Sequence, residues 1–249
     1  MLKVIYILWL RQLKRYVRSK ARMISSLGQP LLFLFAMWFG FGPIFQKAGG
    51  GNYLEFLVPG IIAMSVLFTA MFMGMEVIWD RQFGFLKETL VAPVSRLTIM
   101  IGRTLGGATV AVAQGIIIFL ITLLVGFRLD NIWMLPLAFL FMFLLSVLFT
   151  AFGTAIASVM EDMHAFPIIM NFLIMPMFFL SGALFPLDGL PKSIATITYF
   201  NPVSYGVDGL RASLTMTTHF GITLDLIFLT GSIALIFAIG AYLFSKIQV

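Results

Sequence analysis

The sequence predicts an all-α polytopic membrane protein with six transmembrane helices, and three observations carry that prediction. Hydrophobic residues make up 61% of the chain and charged residues 10%, where soluble domains are about a quarter charged. Long apolar runs recur at residues 23–45, 54–78, 104–126, 133–159, 165–186 and 222–245. Each is long enough to cross a hydrocarbon core of roughly 30 Å as a helix. The segments of roughly ten alternating residues that build a membrane β-barrel do not occur.

The chain begins with a basic amphipathic helix over residues 2–18. At 100° per residue, Leu2, Ile5, Tyr6, Trp9, Leu13 and Tyr16 share one face, and Lys3, Arg11, Lys14, Arg15 and Arg18 share the other. Residues 1–20 are therefore expected to lie in the headgroup plane, aromatic rings at the boundary and bases toward anionic lipid. A second reading is a stalk that abuts a partner. The run that follows is too long, and its basic leader too extended, for a cleaved signal peptide.

Between the first two runs lies a short turn with Gly49, Gly50 and Gly51. Between the second and third lies a connector, residues 79–96, that is charged, hinged at Gly84 and stopped at Pro93. It is about long enough for one short helix across the membrane face. Arg128 to Asn131 forms a tight turn, as does the stretch from Glu161 and Asp162 to His164. Residues 186–221 form the longest segment between runs, and Pro186, Pro191 and Pro202 divide it into two short helices. Asn201 before Pro202 is a strong helix start, an amide cap followed by proline at the first helical position.

Orientation follows from the bases. Lys3, Arg11, Lys14, Arg15, Arg18, Lys20, Arg22, Arg81, Lys87, Arg96, Arg103 and Lys246 fall on one side, and Lys47, Arg128, Lys192 and Arg211 on the other. The positive-inside rule then places both termini in the cytoplasm. The net charge of +6 reflects this clustering at span ends, so nucleic acid is not an expected partner.

Several function classes lack their residues. There is no cysteine for disulfides or thiolate metal sites, no G-x-x-x-x-G-K-[ST] phosphate loop, no H-E-x-x-H and no G-x-S-x-G. His164 and His219 fall on opposite sides, so no metal site is expected. Glu55, Glu76, Arg103 and Asp225 fall near run ends, and the middles carry neutral groups: Gln114, Ser146, Thr150, Thr154 and Asn171. Those groups either hydrogen-bond between helices or line a path, for which Gln114 and Asn171 are the candidates. Small-residue spacings, Ala70 to Gly74, Gly102 to Gly106 and Gly153 to Ala157, permit close helix packing. Without coupling charges or a catalytic site, any work the protein does is expected to be powered from outside it.

Three stretches resemble the membrane subunits of type 2 ATP-binding-cassette exporters, particularly the daunorubicin-resistance-like branch. They are Arg81 to Arg96, running on into Gly102–Arg103 and Gln114–Gly115; Phe179 to Pro186; and Asn201 to Arg211. The resemblance covers essentially the whole length, with one departure, Gln82, where relatives commonly carry glutamate. It implies a single six-span permease domain over residues 1–249, without a nucleotide-binding domain, acting as a homodimer or with a paralogous permease. Each permease would dock a separate ATP-binding-cassette ATPase that carries the ATP and Mg, this chain holding no cofactor.

The connector would be the coupling helix. Phe83, Phe85, Leu86 and Leu90 would be its apolar knobs, Arg81, Lys87 and Glu88 its charges, and Gly84 and Pro93 its bend and stop. Glu161 and Asp162 would offer a second inner contact. Ser181, Gly182, Pro186, Asn201 and Pro202 would shape an outer re-entrant hairpin. The expected substrate is an amphiphile, a drug first and a lipid-linked polysaccharide second. A partner-free channel or lipid scramblase is the competing class, and it gives the connector no role.

Overall fold

A computed structural model describes residues 1–49, 51–85, 94–160, 162–187 and 191–245. All regular structure among them is helical: α1 Leu2–Arg18, α2 Lys20–Lys47, α3 Tyr53–Gln82, α4 Arg96–Val125, α5 Leu135–Val159, α6 Ala165–Phe179, α7 Lys192–Tyr199, α8 Pro202–Thr215 and α9 Ile222–Ser245, with a 3₁₀ turn at Ile132–Met134. Five stretches are long and apolar enough to cross a membrane: α2, α3, α4, the 3₁₀ turn with α5, and α9. The chain is a multi-pass membrane protein.

The helix ends follow their capping residues. The Asn52 side chain accepts from Leu54 N and donates to Glu55 Oε1 at the start of α3. Ser95 Oγ accepts from Thr98 N to open α4, and Gly126, at φ 113°, closes it. Asn201 Oδ1 accepts from Val203 N, and Pro202 takes the first turn of α8. Each side chain satisfies an end group that the helix itself leaves unpaired.

Helix α3 is the axle. Most of its length is buried by α2, α4, α5 and α8, whereas α2 and α9 leave Leu32, Phe39, Ile227 and Leu235 exposed. Such faces suit lipid, which is as apolar as they are. Two of the three small-residue stripes meet where α3 crosses α5: a Cβ on Gly74 would stand 2.5 Å from the backbone of Gly153 and Thr154. Backbone cannot rotate away as a side chain can. Gly74→Ala is accordingly expected to cost about 1–3 kcal/mol, read as a lower denaturant midpoint in detergent; an unchanged midpoint would contradict this packing.

The run at 165–186 is divided differently from the continuous span expected. Helix α6 holds 15 residues, about 22 Å at 1.5 Å each, and the chain then turns. Ser181 Oγ donates to Phe178 O and accepts from Ala183 N, and Gly182 takes φ 78°. The apolar residues beyond the turn continue into the protein core. Ala183 and Leu184 are fully buried beneath α3, where Tyr53 Oη donates to Leu184 O and Gly60 leaves room for the Ala183 backbone.

Helix α1 packs on the protein itself. It runs along α4, with Ile5 and Leu8 over Gly102 and Gln12 over Gly106. Trp9 Nε1 donates to Thr109 Oγ1, and Tyr16 Oη to Gln114 Oε1. The buried face is Leu8, Gln12 and Tyr16, while Leu2 and Tyr6 of the expected apolar face are exposed. The stripe of Gly102 and Gly106 explains the shift, because only there does α4 admit a helix so close.

Candidate functional site

Glu76 and Asp80 lie four residues apart on α3, hence on one face, in its last two turns. Both are about 2% exposed. Two buried carboxylates on one helix face repel each other and lose their hydration, so the arrangement requires cations from elsewhere. Three other helices supply them. Arg11 and Arg15 of α1 reach Asp80 Oδ1 at 3.0 and 3.4 Å, and Arg103 of α4 donates to Asp80 Oδ2. Arg22 of α2 donates to Glu76 Oε1 at 2.8 Å, and Arg15 lies 3.6 Å from Glu76 Oε2.

This cluster brackets the connector. Asp80 stands at its start, in the last turn of α3, and Arg103 beyond its end, so their pair joins the end of α3 to the first turns of α4. The flanks are tied outward as well. Arg81 donates to Ser158 O and Met160 O at the C-terminal end of α5, and Arg96 to Phe244 O near the end of α9. Guanidiniums there meet carbonyls that the helix leaves unpaired and the negative end of its dipole. Arg11 also stands 5.4 Å over the Phe85 ring. Gly84 takes φ 78° with open space around its missing Cβ, and Phe83 is exposed. The flanks of the segment between α3 and α4 are thus tied to α1, α5 and α9.

Of the residues expected in the connector, Leu86, Lys87, Glu88, Leu90 and Pro93 lie outside the described residues, as does Glu161. Asp162 accepts from His164 N in an exposed turn. Gln114 is buried with its amide fully engaged: Oε1 accepts from Tyr16, and Nε2 donates to Met23 O and Ser26 Oγ. It ties α4 to α1 and α2. Burial raises the Tyr16 phenol above its ordinary pKa, against the smaller effects of Ser26 and Arg22. Asn171 is exposed on α6 beside Ile168 and Phe172.

In the 186–221 segment, Asn201 Nδ2 donates to Met177 O at 2.6 Å, and Pro186 is exposed. Arg211, expected on a loop side, is buried: it donates to Gly182 O at 2.8 Å and lies 4.2 Å over the Phe56 ring. Asp208 accepts from Thr218 Oγ1 and from the backbone N–H of His219 and Phe220. Asp225 falls near its run end as expected, yet it is fully buried, and neither oxygen has a hydrogen-bond partner among the described residues.

The sequence reading missed Asp80 as a functional residue, and it set Arg11 and Arg15 toward lipid. A signal was present. Acids at positions 76 and 80 match bases at 11 and 15, the same one-turn spacing on two helices.

The chain is similar over most of its length to proteins named as transport permeases and to a nodulation protein. It is 32% identical over 201 residues to a putative transport permease, ycf38, of Cyanophora paradoxa, covering 78% of this chain and 68% of that one. It is 29% identical over 195 residues to nodulation protein J of Rhizobium leguminosarum bv. trifolii, covering 77% and 73%. With the inner membrane transport permease YadH of Escherichia coli K12 it shares 27% identity over 213 residues, covering 82% and 80%. Residues 3–215 match the ABC-2 type transporter family. Together with its membrane-spanning helices, this match makes the chain a transport permease that belongs to the ABC-2 type transporter family.

Proposed function

We propose that this permease is the membrane subunit of an ATP-driven exporter, carrying an amphiphilic or hydrophobic substrate across the cytoplasmic membrane. A separate ATP-binding-cassette ATPase, holding ATP and Mg, docks on the connector. The observation that carries this reading is the bracing of that segment. Asp80 and Arg103 join its two ends, and Arg81, Arg96 and Arg11 tie its flanks to α5, α9 and α1. A partner-free channel or scramblase has no use for a segment whose flanks are tied to three further helices.

In this mechanism, closure of the ATPase pushes on the connector between Gly84 and Pro93. The ion cluster keeps the ends of α3 and α4 together, so the push tilts helices instead of unravelling a loop. Both termini are cytoplasmic, α6 with the turn after it is the sixth membrane segment, and residues 186–221 form the outer hairpin. The permease works as a dimer, with a second copy or a paralogue covering the exposed α6 face around Ile168, Asn171 and Phe172. This arrangement fits the daunorubicin-resistance-like branch, with a lipid-linked polysaccharide as the second candidate substrate.

Reconstitution tests the reading. Vesicles holding the permease with its ATPase are expected to move a fluorescent amphiphilic dye only when Mg·ATP is present. Equal dye movement without ATP would establish the channel or scramblase class.

A further inference from the structure

A cavity of about 440 Å³ lies between the α1–α2 corner and α3, within the roughly 300–1,000 Å³ typical of small-molecule sites. It has a charged end and an uncharged one. Helices α2 and α3 run antiparallel, Arg22 meeting Glu76 and Phe45 meeting Tyr53, so Arg22, Glu76 and Trp79 mark one end and Pro30 and Phe68 the other. Residues 68 to 79 of α3 span about 16 Å at 1.5 Å per residue. Phe72, Met73 and Met75 line the length between.

Charge selects the occupant. Among the described residues, four guanidiniums (Arg11, Arg15, Arg22 and Arg103) meet two carboxylates, Glu76 and Asp80. The cluster beside the cavity thus holds two more positive charges than negative. Arg22 and Glu76 are the members that line the cavity; the Arg22 side chain is 36% exposed and that of Glu76 3%, so the guanidinium is the charge that faces the space. One of its N–H groups goes to Glu76, whereas a guanidinium carries five donors in a fork suited to phosphate. Cationic amphiphiles would meet this surplus unfavourably, and a small hydrophilic anion would leave the apolar length unfilled.

We propose that this cavity seats one resident anionic phospholipid, its phosphate on Arg22 and an acyl chain along Phe68, Phe72, Met73 and Met75. Such a lipid would wedge α2 against α3 beside the ion cluster. The proposal rests on the chain crossing a bilayer, and is independent of its docking an ATPase.

Native mass spectrometry of the full-length protein, purified in mild detergent and exchanged against equal phosphatidylglycerol and phosphatidylcholine, tests it. One phosphatidylglycerol per chain should be retained, at least tenfold over phosphatidylcholine. Arg22→Gln should lower that retention at least fivefold. Because this change also leaves Glu76 short of a partner, Ser25→Trp provides a second test: Ser25 is exposed and lines the cavity, so the ring fills the space without disturbing the core. It should lower retention at least fivefold at an unchanged elution volume. Equal retention of both lipids, or unchanged retention in Ser25→Trp, would overturn the proposal. Release of the lipid on adding Mg·ATP to the permease with its ATPase would make it a transported molecule and overturn its resident role. Failure to find an ATPase would leave the retention result standing.

Discussion

Asp80→Ala is expected to destabilise the protein by about 3–5 kcal/mol, the usual cost of removing one partner from a buried ion pair. The side chain of Asp80 is 2% exposed and that of Arg103 3%, so the variant strands the Arg103 guanidinium with no water to replace the carboxylate. Arg11 and Arg15 are about a third exposed and lose less, because solvent screens them. The excess cost is therefore expected to lie in the Arg103 pair. Combining Asp80→Leu with Arg103→Met, which replaces charge by apolar volume, should recover more than half of the loss. Denaturant titration in detergent micelles reads both values. A single-variant loss under about 1 kcal/mol would mean that the pair is not the buried brace described above.

Gly84→Pro is expected to abolish ATP-dependent transport while leaving the spans folded. Gly84 takes φ 78°, and proline is locked near −65°, so the connector must leave α3 in another direction. Gly84→Ala also meets a strained φ, although nothing stands within 4 Å of its new Cβ. It should lower transport less than the proline variant. The check is dye export set against the unfolding midpoint: loss of export at an unchanged midpoint is the expected pattern, and normal export in the proline variant would contradict a directed connector.

Much of the fold was legible because lipid imposes a strict length on apolar helices. The run at 54–78 became α3, and Asn201 with Pro202 marked the start of α8 through the amide cap and the proline after it. The run at 165–186 read as one span since hydropathy does not distinguish lipid from protein interior. Ala183 and Leu184, near its end, are apolar because they sit beneath α3. The same ambiguity hid the ion cluster. Asp80 and Arg81 read as the start of a solvated connector, yet the helix continues to Gln82 because Asp80 finds Arg103, Arg11 and Arg15. Those partners are 23 to 69 residues away in the chain, a distance no local pattern spans.

Gln114 illustrates the limit from the other side. A neutral polar group in an apolar helix suits either a path or a tie between helices. Only the approach of Tyr16, Met23 and Ser26 gives it a tie. The glycine spacings told more than their frequency suggests, since Gly74 and Gly153 meet each other and Gly102 and Gly106 receive α1.

The most direct measurement is affinity purification of the chain from its native membrane in mild detergent, assayed for copurifying ATP hydrolysis, with Leu86→Asp alongside. A bound ATPase that is lost in Leu86→Asp, while the variant keeps its yield and elution volume, is the predicted result. A homogeneous permease without ATPase activity, or an ATPase held equally by both forms, would contradict the connector as the place where ATP-driven force enters.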